Sequence, residues 1–214
     1  MRSDVHYEVL PPLQRAVWRS LRSGAKRLER WGFYLAGGTG LALHLGHRQS
    51  VDFDFFSRGA GTASQIHDWL RPLHGFVLRE IDESTLHAEF GKVKVSFIAA
   101  YKYPLVGKIA IIQGIRLASV VDIALMKLIS ITHRATLRDY IDLAAVVRAG
   151  VALGRLLDLS RGKYGDNFNV MVPLRALVSF QDLEPEKPVL LDKGLERYWQ
   201  KILQDAVRQV TREK

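Results

Sequence analysis

The sequence predicts an α+β fold, in which a mixed, largely antiparallel sheet with flanking helices precedes a mostly helical C-terminal half. Three strand-like runs separated by short turns, at 76–81, 85–90 and 93–99, predict an antiparallel meander. The chain beyond the sheet has apolar residues at helical spacing. We therefore expect an α/β domain at 1–118 and a helical domain at 119–214 that closes a cleft between them.

Composition restricts the class of protein. The chain has 214 residues, 48% of them hydrophobic, which is enough to bury a sizeable core. It has no cysteine, which excludes disulfides and thiolate chemistry. It has no apolar run of about 18 residues and no signal-peptide core, so we expect a cytoplasmic protein without a membrane partner. The 31 basic and 22 acidic residues give a net charge of +9, which favours polyanionic partners such as nucleic acid.

The first predicted element is an amphipathic helix over 9–31. Its polar side is almost uniformly basic, whereas an ordinary solvated face mixes both signs of charge. Such a stripe either is a solvated face or follows a phosphate backbone. The candidate nucleic-acid-binding residues are Arg15, Arg19, Arg22, Lys26 and Arg30.

A glycine turn follows. An apolar strand at 33–36 leads into Gly37-Gly38-Thr39 and then a short helix at 40–45. Free backbone N–H groups and the positive end of a helix dipole both favour an anion. This turn is therefore a candidate phosphate-binding site, although most Gly-Gly turns are only turns.

A second strand carries Ser50, Asp52 and Asp54 on one face, because strand side chains alternate. Two carboxylates two residues apart suit a shared Mg²⁺ or Mn²⁺ ion. A lone pair of this kind is commonly solvated. Here the neighbours are apolar enough to be buried, and a buried carboxylate needs a partner or a metal. The neighbours are Val51, Phe53, Phe55 and Phe56.

Lys127 lies in the middle of a predicted helix at 120–131, which begins at a capping signature formed by Ser119 and Asp122. The helix is apolar nearly all round, so the presence of a charged side chain in its middle requires an explanation. Its ammonium either extends to the surface or faces a cleft and meets a triphosphate.

The next segment, R-A-T-L-R-D-Y-I-D-L, contains a second capping signature, Thr136 with Asp139. Asp142 lies one helical turn further on the same side. These carboxylates, with Arg134 and Arg138, either belong to the site or form a salt-bridged hinge.

The residues from 30 to 145 resemble a known family. G-G-T followed by R-x-S-x-D-x-D-F-F is similar to the nucleotidyltransferase-fold toxins of the AbiEii/AbiGii type, within the polymerase-β-like nucleotidyltransferase superfamily. The resemblance continues at Lys127 and at R-D-Y-x-D-L. It implies a nucleotidyltransferase-like sheet, a lysine on the corresponding helix and an aspartate near the last motif as metal ligand or base. It also implies a toxin that modifies tRNA acceptor ends and is paired with an antitoxin.

One position departs from the superfamily pattern. A third carboxylate usually follows on a later strand, and Ser96 occupies the corresponding place within K-V-K-V-S-F-I. Glu89 on the neighbouring strand is either a substitute or a solvent-facing residue.

We therefore expect metal-dependent transfer of a nucleotide from an NTP to an acceptor hydroxyl, with tRNA as the acceptor. Asp52 and Asp54 would hold the metal, Lys127 and Asp142 would complete the catalytic set, and a further group would bind the nucleotide. The alternatives are a small-molecule or protein acceptor, a catalytically degenerate nucleotide- or RNA-binding module, and a structural partner-binding protein. The nucleotide-binding candidates are Gly37, Gly38, Thr39, Arg48 and Ser50.

Overall fold

The computed structural model describes residues 5–59, 61–134, 136–181, 183 and 186–212. The strands are β1 (Tyr34–Leu35), β2 (Phe53–Phe56), β3 (Phe76–Ile81), β4 (Thr85–Phe90), β5 (Val93–Ile98), β6 (Ala110–Ile112) and β7 (Ile115–Leu117). The α-helices are α1 (Pro12–Ser23), α2 (Ala25–Arg30), α3 (Gly37–Leu45), α4 (Ala63–Leu70), α5 (Val120–Ser130), α6 (Leu137–Arg148), α7 (Leu153–Tyr164), α8 (Met171–Ala176) and α9 (Lys193–Arg212). Short 3-10 helices occur at Tyr7–Val9 and Gly165–Asn167.

The seven strands form one mixed sheet in the order β3-β4-β5-β2-β1-β7-β6. The meander β3-β4-β5 is antiparallel throughout, as the sequence predicts. Strand β2 pairs in parallel with β5 and antiparallel with β1, and β1 pairs in parallel with β7. The predicted α+β class is confirmed.

Each face of the sheet is covered by a different set of helices. Phe53 and Phe55 point to a core that includes residues of α1, α2 and α4. Phe55 stacks on Phe97 of β5 with ring centroids 4.9 Å apart. Asp54 and Phe56 alternate with them and point to the opposite face, where α5 and α6 lie.

The C-terminal helices pack directly on the sheet. Tyr34, Ala36 and Leu41 belong to the same apolar core as α5, α6, α7 and α9. Helix α5 is capped as predicted, because the Ser119 side chain accepts a hydrogen bond from the backbone N–H of Asp122. The predicted division between 118 and 119 falls just after β7, and stays a prediction.

Several predicted boundaries are wrong, each for a tertiary reason. The helix expected over 9–31 is broken at Gly24, where a Cβ would lie 2.1 Å from the Trp69 ring. Helix α3 begins at Gly37, so the glycine turn is its first turn. Strand β2 begins at Phe53, so Asp52 lies in the preceding loop.

The loop before β2 is held by backbone bonds to distant segments and not by a sheet ladder. The backbone N–H of Gln49 donates to the carbonyl of Val189, and that of Ser50 donates to Val9. Ser50 is therefore outside β2. Within the described part of the chain, no helix combines the length and apolarity required to cross a membrane.

Candidate active site

A cleft of about 340 Å³ opens between the sheet and the two helices α5 and α6. It brings together most of the residues that the sequence selects. The predicted site residues that line it are Gly37, Gly38, Arg48, Ser50, Asp52, Asp54 and Lys127. The other lining residues are Phe56, Ile123, Met126, Ser130, Arg134, Thr136, Arg138 and Asp139.

The two glycines at the start of α3 allow polar side chains to approach the backbone closely. Gly37 has φ +60°, and a Cβ there would lie 2.3 Å from Asp54 Oδ2. A Cβ on Gly38 would lie 2.3 Å from Arg48 Nη2. The helix has no side-chain cap at its N-terminus. Its first-turn N–H groups therefore face the cleft without an intrahelical acceptor.

We expect Gly37→Ala to reduce the free energy of unfolding by about 1–3 kcal/mol and to move Asp54, because the new Cβ combines a strained φ with a clash. Urea unfolding and the transfer assay described below measure the two effects. Gly162→Ala is the control, since that glycine lies in α7 and an added Cβ would meet no described atom within 4 Å outside its own helical turn. It should raise stability by up to about 1 kcal/mol. Equal effects of both variants would contradict the assigned role of Gly37.

Asp52 and Asp54 form an acidic pair at the floor of the cleft. The side chain of Asp52 is 34% exposed and lies 3.8 Å from Arg138 Nη1. Asp54 is half-buried, and no described residue donates a hydrogen bond to its carboxylate. Burial raises the pKa of Asp54, the charge of Lys127 opposes that rise and the charge of Asp52 adds to it. This acidic pair, in which Asp54 accepts no hydrogen bond from the described residues, fits a divalent cation.

The sheet shows where the third carboxylate of the superfamily pattern would lie. Ser96 is the direct register partner of Asp54. Its hydroxyl lies 3.0 Å from His87 Nδ1. Glu89 pairs with Arg79 at 2.6 Å. Among the residues that the structure describes, no group of three or more His, Cys, Asp or Glu is arranged to hold a metal. Mg²⁺ commonly binds through one or two carboxylates and completes its shell with water and substrate phosphates, so two carboxylates suffice.

Behind the cleft lies a buried ion-pair network centred on Asp142. Arg48 donates to it twice, from Nε to Oδ1 at 2.6 Å and from Nη2 to Oδ2 at 2.9 Å. His47 Nε2 lies 2.7 Å from Oδ1. Lys127 Nζ lies 2.7 Å from Oδ2 and 2.5 Å from Asp139 Oδ1. Asp142 has no solvent exposure and does not line the cleft.

The charges in this network stabilise one another. Burial alone would raise the pKa of Asp142, but the positive charges of Arg48 and Lys127 hold it well below its usual range. Burial alone would lower the pKa of Lys127, but the carboxylates of Asp142 and Asp139 outweigh it, and the pKa is raised. Asp142 and its two cationic partners, Arg48 and Lys127, are therefore charged near neutral pH.

Lys127 does not extend to the surface, since it is only 8% exposed and lines the cleft. An ammonium group has three donors, and two point at carboxylates, so one is left for a ligand.

Thr136 makes no side-chain cap, so the predicted capping role of Asp139 is wrong. The Asp139 carboxylate instead binds Lys127 and Arg134.

Thr39 lies outside the cleft, although the sequence places it in the phosphate-binding turn. It is buried, and its hydroxyl is hydrogen-bonded to Ser50 Oγ at 2.7 Å and to the Asp52 carbonyl. These bonds brace the loop that carries Ser50 and Asp52.

The basic stripe is separate from the cleft. Its five side chains are exposed on α1 and α2, and those helices cover the opposite face of the sheet. The stripe and the cleft therefore lie on different sides of the sheet.

Two residues of the site have no signal in the sequence pattern. His47 reaches Asp142 across 95 positions of the chain. Glu186 holds Arg138, with Arg138 Nη2 and Glu186 Oε1 2.9 Å apart, beside Asp52. Glu186 meets Arg138 because the segment 186–192 runs along the loop before β2, and periodicity in the sequence does not show that path.

A mixed sheet with an uncapped glycine-initiated helix facing two carboxylates defines a nucleotidyltransferase-fold protein. Comparison with solved structures agrees. MenT4, a nucleotidyltransferase toxin from Mycobacterium tuberculosis, matches with a TM-score of 0.59 at 16% identity over 93% of this chain and 82% of that one. A nucleotidyltransferase candidate from H. pylori matches with a TM-score of 0.50 at 16% identity, over 94% and 98% of the two chains.

The family described as nucleotidyl transferase AbiEii toxin, type IV toxin–antitoxin system, matches residues 21–213. The chain therefore belongs to the AbiEii family and is a nucleotidyltransferase. An uncharacterized protein of Aquifex aeolicus (strain VF5) is 32% identical over 185 residues, which are 79% of this chain and 82% of the relative.

Proposed function

We propose that this toxin transfers a nucleotide from an NTP to a hydroxyl at the 3′ end of tRNA in the cytoplasm, with Mg²⁺ or Mn²⁺, and that a cognate antitoxin restrains it. One observation carries the proposal. The uncapped start of α3 and the acidic pair Asp52 and Asp54 lie in one cleft, so phosphate and a divalent cation can bind side by side.

The triphosphate binds at the first turn of α3. The N–H groups of Gly37 and Gly38 donate to phosphate oxygens, and the helix dipole adds to the attraction. The hydroxyl of Ser50 lines the same wall. Arg48 lines the cleft beside Gly38, where its charge acts on the phosphates. Three of its five N–H donors are used by Asp142 and the Gln49 carbonyl.

Asp52 and Asp54 hold the cation, which when bound neutralises charge on the phosphates and favours deprotonation of the attacking hydroxyl. Lys127 directs its remaining donor at the triphosphate and stabilises the charge that develops as pyrophosphate leaves. Arg138 lies at the same mouth of the cleft and is held by Glu186.

Asp142 acts as a positioning residue in this proposal. The family resemblance predicts an accessory metal ligand or base here, but both oxygens of Asp142 are occupied by Arg48, His47 or Lys127. It therefore holds Lys127 and Arg48 against the cleft. Asp139, which lines the cleft, holds Lys127 from the other side.

An RNA acceptor agrees with the net charge of +9. The basic stripe lies across the sheet from the cleft, so it would contact the body of a large folded acceptor and not its reacting end. A nucleotide-binding module without catalysis is the second candidate, favoured by Ser96 where a third carboxylate is expected.

The test incubates the protein with Mg²⁺, each α-³²P-labelled NTP in turn and total tRNA. We expect label in tRNA with wild type and its loss with Asp52→Ala and with Lys127→Ala. Label in a small molecule or in protein would replace the RNA acceptor. Mg²⁺-dependent stabilisation by NTP without any transfer would support the binding module.

A further inference from the structure

A second cavity, of about 270 Å³, lies beside the cleft on the same face of the sheet. Tyr34 and Phe56 separate the two, with their rings stacked at 6.2 Å. Phe56 lines the cleft, whereas Tyr34 lines the second cavity. We call this cavity the arginine pocket, and its lining residues are Gly32, Tyr34, Ser57, Arg58, Leu105 and Arg116.

The Tyr34 hydroxyl has no hydrogen-bond partner among the described residues, although the side chain is only 3% exposed. Such orphaned groups are rare and require a reason. Burial raises the pKa of Tyr34, so the group remains an O–H donor. Nearby Asp122 does not accept from it, because each of its two oxygens already accepts twice, from the N–H groups of Val106 and Gly107, the Ser119 hydroxyl and Lys163.

Two unpaired positive charges accompany this donor. Within the described ranges, neither the Arg58 nor the Arg116 guanidinium forms an ion pair or a hydrogen bond. Both lie near enough to Tyr34 that their charges oppose the rise in its pKa. Arg116 is half-buried, whereas Arg58 is exposed and can reach a strand that passes over the surface.

The free cationic groups of the arginine pocket are donors only, and the Tyr34 hydroxyl can donate as well. Ser57 is already committed, since its hydroxyl donates to the Trp31 carbonyl and accepts from Gly59. The matching ligand has acceptors only and carries negative charge, which describes a phosphate and not the edge of a base. Arg58 lies four residues beyond Asp54, so the two residues are at most about 13 Å apart, the length of four residues of extended chain.

We propose that the arginine pocket binds a backbone phosphate of the acceptor strand, upstream of the 3′ end that reacts in the cleft. This inference rests on the proposed transfer to RNA. A polynucleotide acceptor would make this contact, whereas an NTP bound in the cleft would not.

The test measures binding of a fluorescent single-stranded oligoribonucleotide by anisotropy at several salt concentrations. Arg58→Gln/Arg116→Gln is compared with Arg155→Gln/Arg175→Gln, which removes the same charge from exposed positions on α7 and α8. We expect the pocket variant to lose about tenfold in affinity and its salt slope to become shallower by about 0.7 for one lost phosphate contact. The control should stay within about twofold of wild type.

Tyr34→Phe provides a separate readout. It should weaken oligonucleotide binding severalfold without lowering the midpoint of thermal unfolding, because it removes a buried group that has no partner. Thermal stabilisation by Mg²⁺ with each NTP is measured in every variant, and we expect it to be unchanged.

The outcomes separate the two proposals. Equal affinities of the pocket and control variants would overturn the phosphate site and leave transfer to RNA standing. Failure of wild type to bind the oligonucleotide, with NTP stabilisation intact, would overturn both the site and the RNA acceptor. Loss of NTP stabilisation in the pocket variant would place the arginine pocket in the nucleotide site and overturn the inference.

Discussion

Asp54→Asn should reduce nucleotide transfer by at least about 10³-fold while leaving the fold intact or slightly more stable. The carboxylate is half-buried, beside Asp52, and accepts no hydrogen bond from the described residues. The substitution therefore removes an uncompensated charge from the free protein and a cation ligand from the working enzyme. Steady-state transfer rates and urea unfolding measure the two effects.

Asp68→Asn makes the same chemical change on an exposed side chain of α4 and serves as the control. It should change neither quantity. Transfer by Asp54→Asn within tenfold of wild type would remove Asp54 from the catalytic set. A large loss of stability would show that the carboxylate has a structural role that its contacts do not indicate.

Asp142→Ala should reduce the free energy of unfolding by about 3–5 kcal/mol, because it leaves Arg48 and Lys127 buried without their shared counter-ion. Asp158→Ala is the control, since that carboxylate is exposed and lies 3.7 Å from Arg161. It should have little effect. If Asp142→Ala does not fold, Asp142→Asn keeps the shape of the side chain and permits the measurement.

The same residue gives a pH dependence. The pKa of Asp142 is depressed in the folded state, so its contribution is complete above the unfolded value near 3.9 and is lost as pH falls towards the folded value. The stability difference between wild type and Asp142→Asn should therefore shrink as the pH falls below about 4. A constant difference down to pH 2 would contradict the assigned ionisation of Asp142.

Local pattern was sufficient for much of the fold. Strands β3 and β4 begin and end where the sequence predicts, because short local turns bound both runs. Alternation with one buried face holds for β4, whereas β3 is exposed along most of its length. The cap on α5 was also predictable, since Ser119 and Asp122 interact within one turn. The boundaries of α3 and β2 were not, because contacts from distant segments decide where each begins.

In the candidate site too, local sequence pattern predicted some features, and contacts between distant segments decided the others. Sequence motifs selected Gly37, Asp52, Asp54 and Lys127, which the structure places in one cleft. They could not indicate that the Thr39 hydroxyl points away from the cleft to brace Ser50. That orientation depends on which face of α3 is buried.

The sequence by itself determined the fold class, the family and the chemical types present: two carboxylates near a glycine turn, a lysine in an apolar helix and an excess of positive charge. Those properties depend on residue identity and short-range spacing. Only the tertiary structure decided which charges meet. Arg48 and Asp142 are 94 positions apart, and their pairing makes Asp142 a buried anchor. Folding also put the basic stripe across the sheet from the cleft and gathered Tyr34, Arg58 and Arg116 around a second pocket, because strand order and helix packing set distances that spacing along the chain does not.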